Sequence, residues 1–145
     1  MLDNINPMVW GNPFWRIGYL VTYAYPVSPT FDDRQLIVDF FNQYQKILPC
    51  EKCRINFQNH LKKYPLTNVA LSNKFNLMTW FLNINNEVNK VTNKPLMTLN
   101  DVYEKYLIAG NTNTFQTKQI ITASLVFLLV IVLVVYLIIK NKQKI

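Results

Sequence analysis

The chain has 145 residues, half of them hydrophobic and 14% aromatic, with a formal net charge of +7, which is enough for one domain plus an appendage. The excess charge brings nucleic acid to mind, but the basic residues are dispersed apart from Lys62-Lys63 and the tail after residue 139; no base-reading motif accompanies them, so no nucleic-acid partner is expected and the charge reads as solvated faces plus attraction to anionic lipid. With two cysteines and a single histidine, a closed zinc site within the chain lacks ligands, and no metal is expected.

In chain order, residues 1–9 form a short lead without the basic and apolar regions of a signal peptide. From Pro13 the apolar residues suit a first helix that stops near Tyr25, before Pro26 and Pro29. Trp15, Tyr19 and Tyr23 recur at i, i+4 and i+8 and share a face. They form either an aromatic core stripe or one wall of a pocket for a flat ring system. Ser28 or Thr30 can cap a second helix with Asp32 and Asp33 in its first turn. That helix runs to about Leu48 along the stripe Leu36, Ile37, Phe40, Phe41, Tyr44, Ile47 and Leu48.

Both cysteines lie in Leu48-Pro49-Cys50-Glu51-Lys52-Cys53-Arg54. Proline suits a first helical turn, so the spacing predicts a third helix from about Pro49 to Tyr64, ended by Pro65. Cys50 and Cys53 then sit on one face at its N-terminus, where unpaired amides, the helix dipole, Lys52 and Arg54 favour a thiolate. A dithiol in that setting suits disulfide exchange. Two inert buried thiols are the plainer alternative. Cys50, Cys53, Phe57 and Leu61 follow one core-facing line, and His60 reads as a surface or packing residue.

Ser72 can cap a fourth helix, from Asn73 to about Val91, carrying Phe75, Met78, Trp80, Phe81, Leu82, Ile84 and Val88. Its second half holds Asn83, Asn85, Asn86 and Asn89. Asparagine is a mediocre helix former, so the run reflects either compositional bias or amides that bind a ligand's polar edges. Thr98 to Asp101 resembles a capping box for a short fifth helix through Tyr103 and Leu107, with Gly110 as its stop. Residues 111–119 read as a polar linker. Ile120 to Ile139 is then a run of 20 residues without charge or proline, long enough for a transmembrane helix, and residues 140–145 are a basic tail. The expected architecture is all-α: a four-helix bundle plus a short fifth helix over residues 1–110, followed by a single C-terminal transmembrane helix at 120–139.

These pieces resemble a family. Trp10-Gly11-x-x-x-Trp15, Leu48-Pro49-Cys50-x-x-Cys53, and Trp80 followed by Asn86-Glu87-Val88-Asn89-Lys90 and Lys94-Pro95 occur in this order. The chain looks like an Erv/ALR-type FAD-linked sulfhydryl oxidase, and is similar to the short forms of large DNA viruses. The resemblance covers about residues 8–107 and implies a helical bundle that binds FAD. It also implies electron transfer from substrate dithiols through the cysteine pair and FAD to oxygen, giving hydrogen peroxide.

Carried over by position, the resemblance makes Cys50 the thiol that exchanges with substrate and Cys53 the one beside the flavin. Gly11, Trp15, Asn86, Val88, Asn89, Lys90 and Lys94 would line the FAD site, with Tyr19, Tyr23, Asn83 and Asn85 completing the candidate set. The family commonly has arginine at the position of Asn12, and histidines at those of Tyr19, Asn83 and Asn85. Further shuttle cysteines are absent, so substrates, protein dithiols or a downstream viral thiol carrier, must reach Cys50 directly. A homodimer would be non-covalent.

Few residues follow the apolar run, which favours post-translational insertion as a single-pass C-terminal anchor, with the oxidase domain in the cytosol and the protein in a virion or host-cell membrane. The lysines after the span pull the other way under the positive-inside rule. The competing reading, motivated by the replaced histidines, is a flavin-free membrane-anchored adaptor or dithiol carrier in virion assembly.

Overall fold

A computed structural model describes residues 4–108 and 112–142. Among these residues it is wholly helical, as the periodicity predicts. The chain divides into a unit at residues 1–107 and a second at residues 108–145.

Helix α1 spans Pro7–Ala24, starting six residues earlier than its apolar pattern suggests. The side chain of Asn6 accepts the Met8 N–H at 3.0 Å and Pro7 occupies the first helical position. This is a sound N-terminus, because proline's missing donor costs nothing there. Pro13 therefore lies inside the helix rather than at its start. Helix α2 spans Phe31–Tyr44. Thr30, not Ser28, caps it: its hydroxyl accepts the Asp33 N–H at 3.2 Å, and the Asp33 carboxylate accepts the Thr30 N–H at 2.8 Å. The helix ends before Leu48, leaving a short connection to the cysteines.

Helix α3 spans Glu51–Lys63. Helix α4 spans Lys74–Val91 and is capped by Asn73 rather than Ser72. Ser72 closes a 3-10 turn, Ala70–Ser72, and the backbone becomes extended only at Asn73, as an N-cap requires. Asn73 Oδ1 then accepts the Asn76 N–H at 3.0 Å. Helix α5, Leu99–Val102, starts from the expected Thr98–Asp101 capping box and continues as a π-helical segment, Tyr103–Ile108. Gly110 lies outside the described residues.

The core of the first unit is aromatic. Tyr19, Phe41, Phe81 and Tyr106 are almost fully buried together with Leu77, Met78, Ile84 and Val102. Helices α1 and α4 meet at Gly18, where a Cβ would lie 2.3 Å from the Phe81 ring, so only glycine permits this approach. Side chains tie the frame at its ends: the Trp80 indole donates to the Tyr64 carbonyl at 2.9 Å, and the Tyr25 hydroxyl to that of Leu71 at 2.9 Å. Glu87 clasps α3 to α4, pairing with Lys63 and Lys90 at 2.8 Å each and accepting from the Tyr64 hydroxyl at 3.0 Å. These hydrogen bonds, Lys63's the largest, pull its carboxyl down to about 2.

Helix α6 spans Thr112–Lys142. The residues expected to form a linker are thus helical from Thr112 onward, and the apolar run is continuous with them. Side chains are described at 119–133 and at 139 and 140; the end of the 120–139 run and the tail at 143–145 lie outside the described set. Among the described residues no helix is long and apolar enough to cross a membrane.

Candidate dithiol site and adjoining cleft

Cys50 and Cys53 are joined as a disulfide, their Cα atoms 5.1 Å apart. The two cysteines do not share the first turn of α3, as their spacing predicts. Pro49 and the close bond from the Cys50 N–H to the Leu48 carbonyl, 2.8 Å, turn the backbone so that Cys50 is extended (φ −163°, ψ 112°). Cys50 is thereby the N-cap, and its Sγ accepts the Cys53 N–H at 3.2 Å. The electrostatic consequence of this placement is the same. An N-cap sulfur is where a helix offers a free amide to an anion, so a Cys50 thiolate released on reduction is stabilised.

Cys53 faces a cleft of about 460 Å³, and Cys50 is not among its lining residues. Three helices present one face each. α1 gives Trp10, Gly11, Phe14 and Trp15; α3 gives Cys53, Asn56, Phe57 and His60; α4 gives Asn85, Val88 and Asn89, followed by its C-cap Thr92. Each set repeats at intervals of three and four residues, the spacing of a single helical face. Lys94 from the loop after α4, and Lys105 and Tyr106 from the π-helical segment, complete the far side.

Phe14 organises the aromatic wall. Its ring stacks on Tyr44 at 4.1 Å and meets Trp10, Trp15 and Phe57 edge-on at 5.8, 5.5 and 5.6 Å. The Tyr44 hydroxyl also donates to the Phe14 carbonyl, which fixes the α1–α2 approach. On the amide wall, Asn85 is only 2% exposed. Its Oδ1 accepts from Asn89 Nδ2 at 3.0 Å, and both side chains line the cleft. A Cβ on Gly11 would meet no other atom within 4 Å; packing does not require glycine there, and its absence of a side chain keeps the cleft open. Lys94 and Lys105 are the charged lining residues and no carboxylate joins them. Burial pushes the His60 imidazole below its ordinary value, with Glu87 opposing and Lys63 reinforcing the shift, so it is neutral near pH 7.

Of the candidate residues, Gly11, Trp15, Cys53, Asn85, Val88, Asn89 and Lys94 are brought together here. Tyr19, Tyr23, Asn83, Asn86 and Lys90 are not among the lining residues, for local reasons. Tyr19 is fully buried, its ring 5.0 Å from that of Tyr106, with a hydroxyl that has no hydrogen-bond partner. Tyr23 lies at the surface against Tyr103, with the Lys74 ammonium 4.4 Å from its ring centre. Asn83 is exposed. Asn86 is engaged by the Met97 backbone, donating to its carbonyl and accepting its N–H at 2.8 Å each, and Lys90 is paired to Glu87. Sequence reasoning missed Phe14, Asn56, His60, Lys105 and Tyr106. The interval pattern around Cys53 could have found Asn56 and His60; nothing local marks Lys105 or Tyr106, which depend on where the π-helical segment returns.

A helical bundle that sets one sulfur of a Cys-x-x-Cys disulfide against an aromatic, amide-rich and cationic cleft defines a redox dithiol protein with room for a flat anionic ligand. The Erv1/Alr family model matches residues 12–107, and the chain belongs to this family. It is 42% identical over 100 residues to a probable FAD-linked sulfhydryl oxidase of Acanthamoeba polyphaga mimivirus, covering 69% of this chain and 70% of that one. It is 30% identical over 105 residues to a putative FAD-linked sulfhydryl oxidase of Invertebrate iridescent virus 3, covering 72% and 70%. Among solved structures, the FAD binding domain of Erv1 from Saccharomyces cerevisiae superposes with a TM-score of 0.64 at 22% identity, covering 71% of this chain and 95% of that one; this likeness shows the shared fold.

Proposed function

We propose that the protein is an FAD-dependent thiol oxidase that makes disulfides in substrate proteins and passes their electrons to oxygen. The observation that carries this reading is the asymmetry of the disulfide: Cys53 lines the cleft and Cys50 does not. One sulfur is thus left for a substrate thiol and the other for a cofactor. The cleft suits FAD: aromatic side chains for the ring system, the Asn85 and Asn89 amides for its polar edges, and Lys94 and Lys105 for the pyrophosphate. Bound there, FAD would supply two-electron oxidation of a dithiol and reoxidation by oxygen with release of hydrogen peroxide.

The chain's own residues do the rest. A substrate thiolate attacks Cys50, forming a mixed disulfide and releasing Cys53 as a thiolate at the cleft wall. A second substrate thiolate then displaces Cys50, whose negative charge the Cys53 N–H receives. The half-buried Trp10, Phe14 and Trp15 rings, backed by the buried Tyr44 and Phe57, cover that wall. In an oxygen electrode, the full chain with dithiothreitol should consume oxygen, and Cys50→Ser should consume essentially none. Unchanged uptake by Cys50→Ser excludes this order of events.

We further propose that α6 anchors the domain as a single-pass C-terminal membrane helix, leaving residues 1–110 on the cytosolic side of a virion or host-cell membrane. Support comes from the charge-free run 120–139 within a helix of 31 residues and from exposed apolar side chains between Ile120 and Leu133. Protein dithiols, a downstream viral carrier among them, are the expected partners, with a non-covalent homodimer as a further expectation. Full chain expressed with membranes should resist carbonate extraction and a chain cut at residue 110 should not; equal extraction of both would refute the anchor.

A further inference from the structure

Joining two cysteines places their Cα atoms roughly 4.4–6.8 Å apart. A substrate cysteine bonded to Cys50 therefore brings its own backbone alongside residues 49–51, at about the separation where extended chains exchange backbone hydrogen bonds. Cys50 is itself extended. Its N–H is spent on the Leu48 carbonyl and its carbonyl on the Arg54 N–H. The groups that can pair with another chain are the flanking Pro49 carbonyl and Glu51 N–H.

Both are already occupied by the lead segment. The Ile5 N–H donates to the Pro49 carbonyl at 2.8 Å, and the Glu51 N–H donates to Asn4 Oδ1 at 3.0 Å. From the other side the Trp10 indole donates to the Ile5 carbonyl at 3.0 Å. Asn4 and Ile5 thus lie beside Cys50 as a pairing strand would, and both remain exposed; little apolar burial holds them there.

We propose that the Pro49–Glu51 edge is the docking site for the extended polypeptide around a substrate cysteine, and that Asn4–Ile5 is a built-in stand-in which the substrate displaces. The proposal rests on the thiol-oxidase reading above. A substrate segment offers the same pair of groups, a backbone N–H for the Pro49 carbonyl and a backbone carbonyl for the Glu51 N–H. Main-chain pairing of this kind reads extension rather than sequence, so the favoured substrates are cysteines in unfolded or edge segments. In the step itself the substrate thiol gives its proton to solvent, its sulfur bonds to Cys50 Sγ, and the Cys50–Cys53 bond breaks with the electron pair going to Cys53. A second substrate thiolate then forms the product disulfide and leaves Cys50 as thiolate, so the substrate loses the two electrons that the pair gains.

The test follows reduction of the Cys50–Cys53 bond in the full chain without oxygen, by acid quench and thiol alkylation. The reductants are dithiothreitol and reduced, unfolded ribonuclease A. Asn4→Ala and Ile5→Pro each remove one strap bond, and Ile5→Pro retains the carbonyl that holds Trp10. Since one such bond sets the open population by about two- to tenfold, each variant should speed reduction by ribonuclease by that factor and leave the dithiothreitol rate within about twofold. A ribonuclease rate that is unchanged or slower, or an equal gain with both reductants, overturns the proposal. If dithiothreitol fails to reduce the pair in the native chain, the thiol-oxidase reading has failed instead, and the docking proposal with it. Amide exchange supplies a readout that needs no strap variant: in a mixed disulfide trapped with a ribonuclease peptide on Cys53→Ser, the Ile5 amide should lose protection while Glu51 keeps it. Persistent protection at Ile5 overturns the proposal.

Discussion

Tyr19 shows how much a single buried atom decides. Its ring is buried between Phe81 and Tyr106, and its hydroxyl finds no hydrogen-bond partner. Burial, and secondarily Tyr106, hold the phenol far above its ordinary range, so it is neutral at every accessible pH. An unpaired buried hydroxyl contributes nothing that a phenylalanine lacks. Tyr19→Phe should therefore leave thermal stability unchanged or raise it by up to about 1 kcal/mol, with FAD affinity within about twofold as read by flavin fluorescence. A loss of 2 kcal/mol or of FAD binding would mean that the hydroxyl has a partner in the folded, loaded protein. The resemblance places Tyr19 at a family histidine, and its burial one layer beneath Tyr106 was invisible in the spacing Trp15, Tyr19, Tyr23, because helical period gives direction but not depth. Asn85 teaches the converse: nothing in its own sequence neighbourhood separates it from Asn83, yet a turn of about 200° between them sends one into the cleft and the other to water.

At the scale of elements, caps and stripes were the legible part. Thr30 and Thr98 open their helices with both halves of a capping box; the apolar periods give the buried faces only in part, since Ile37, Phe41 and Tyr44 are buried but Leu36 and Ile47 are exposed, and on α4 Phe75 is exposed while Leu77 is buried. Starts that rest on backbone conformation were not legible: Asn6 ahead of α1, Asn73 ahead of α4, and Cys50, which becomes a cap because its own N–H turns back on Leu48. The crossing of α1 and α4 is set by a missing side chain. Gly18→Val should destabilise the bundle by about 1–3 kcal/mol, since its Cβ alone would sit 2.3 Å from the buried Phe81 ring. Denaturant unfolding measures this, and an unchanged midpoint would show that Phe81 can move aside freely. The same crossing carries Trp15 and Asn85 on opposite walls, so the variant should weaken FAD binding as well.

For the whole molecule, the dithiol and its cleft belong to the first unit, and the anchoring proposed for α6 concerns the second. The cleft draws on α1, α3, α4 and the π-helical segment, elements spread from residue 7 to residue 106, so it exists only when the bundle is complete. That explains why the cysteine pair was readable as a local motif, while half of the cleft, Lys105 and Tyr106 included, required the fold. The central claim is that this cleft holds FAD within electron-transfer reach of Cys53. The most direct measurement is the visible spectrum of the purified full chain in detergent, before and after dithiothreitol, first without and then with oxygen. A bound-flavin band that bleaches under nitrogen and returns in air is the expected result. A colourless protein that takes up no added FAD, or a flavin band that dithiothreitol leaves untouched while the Cys50–Cys53 bond is reduced, would contradict it.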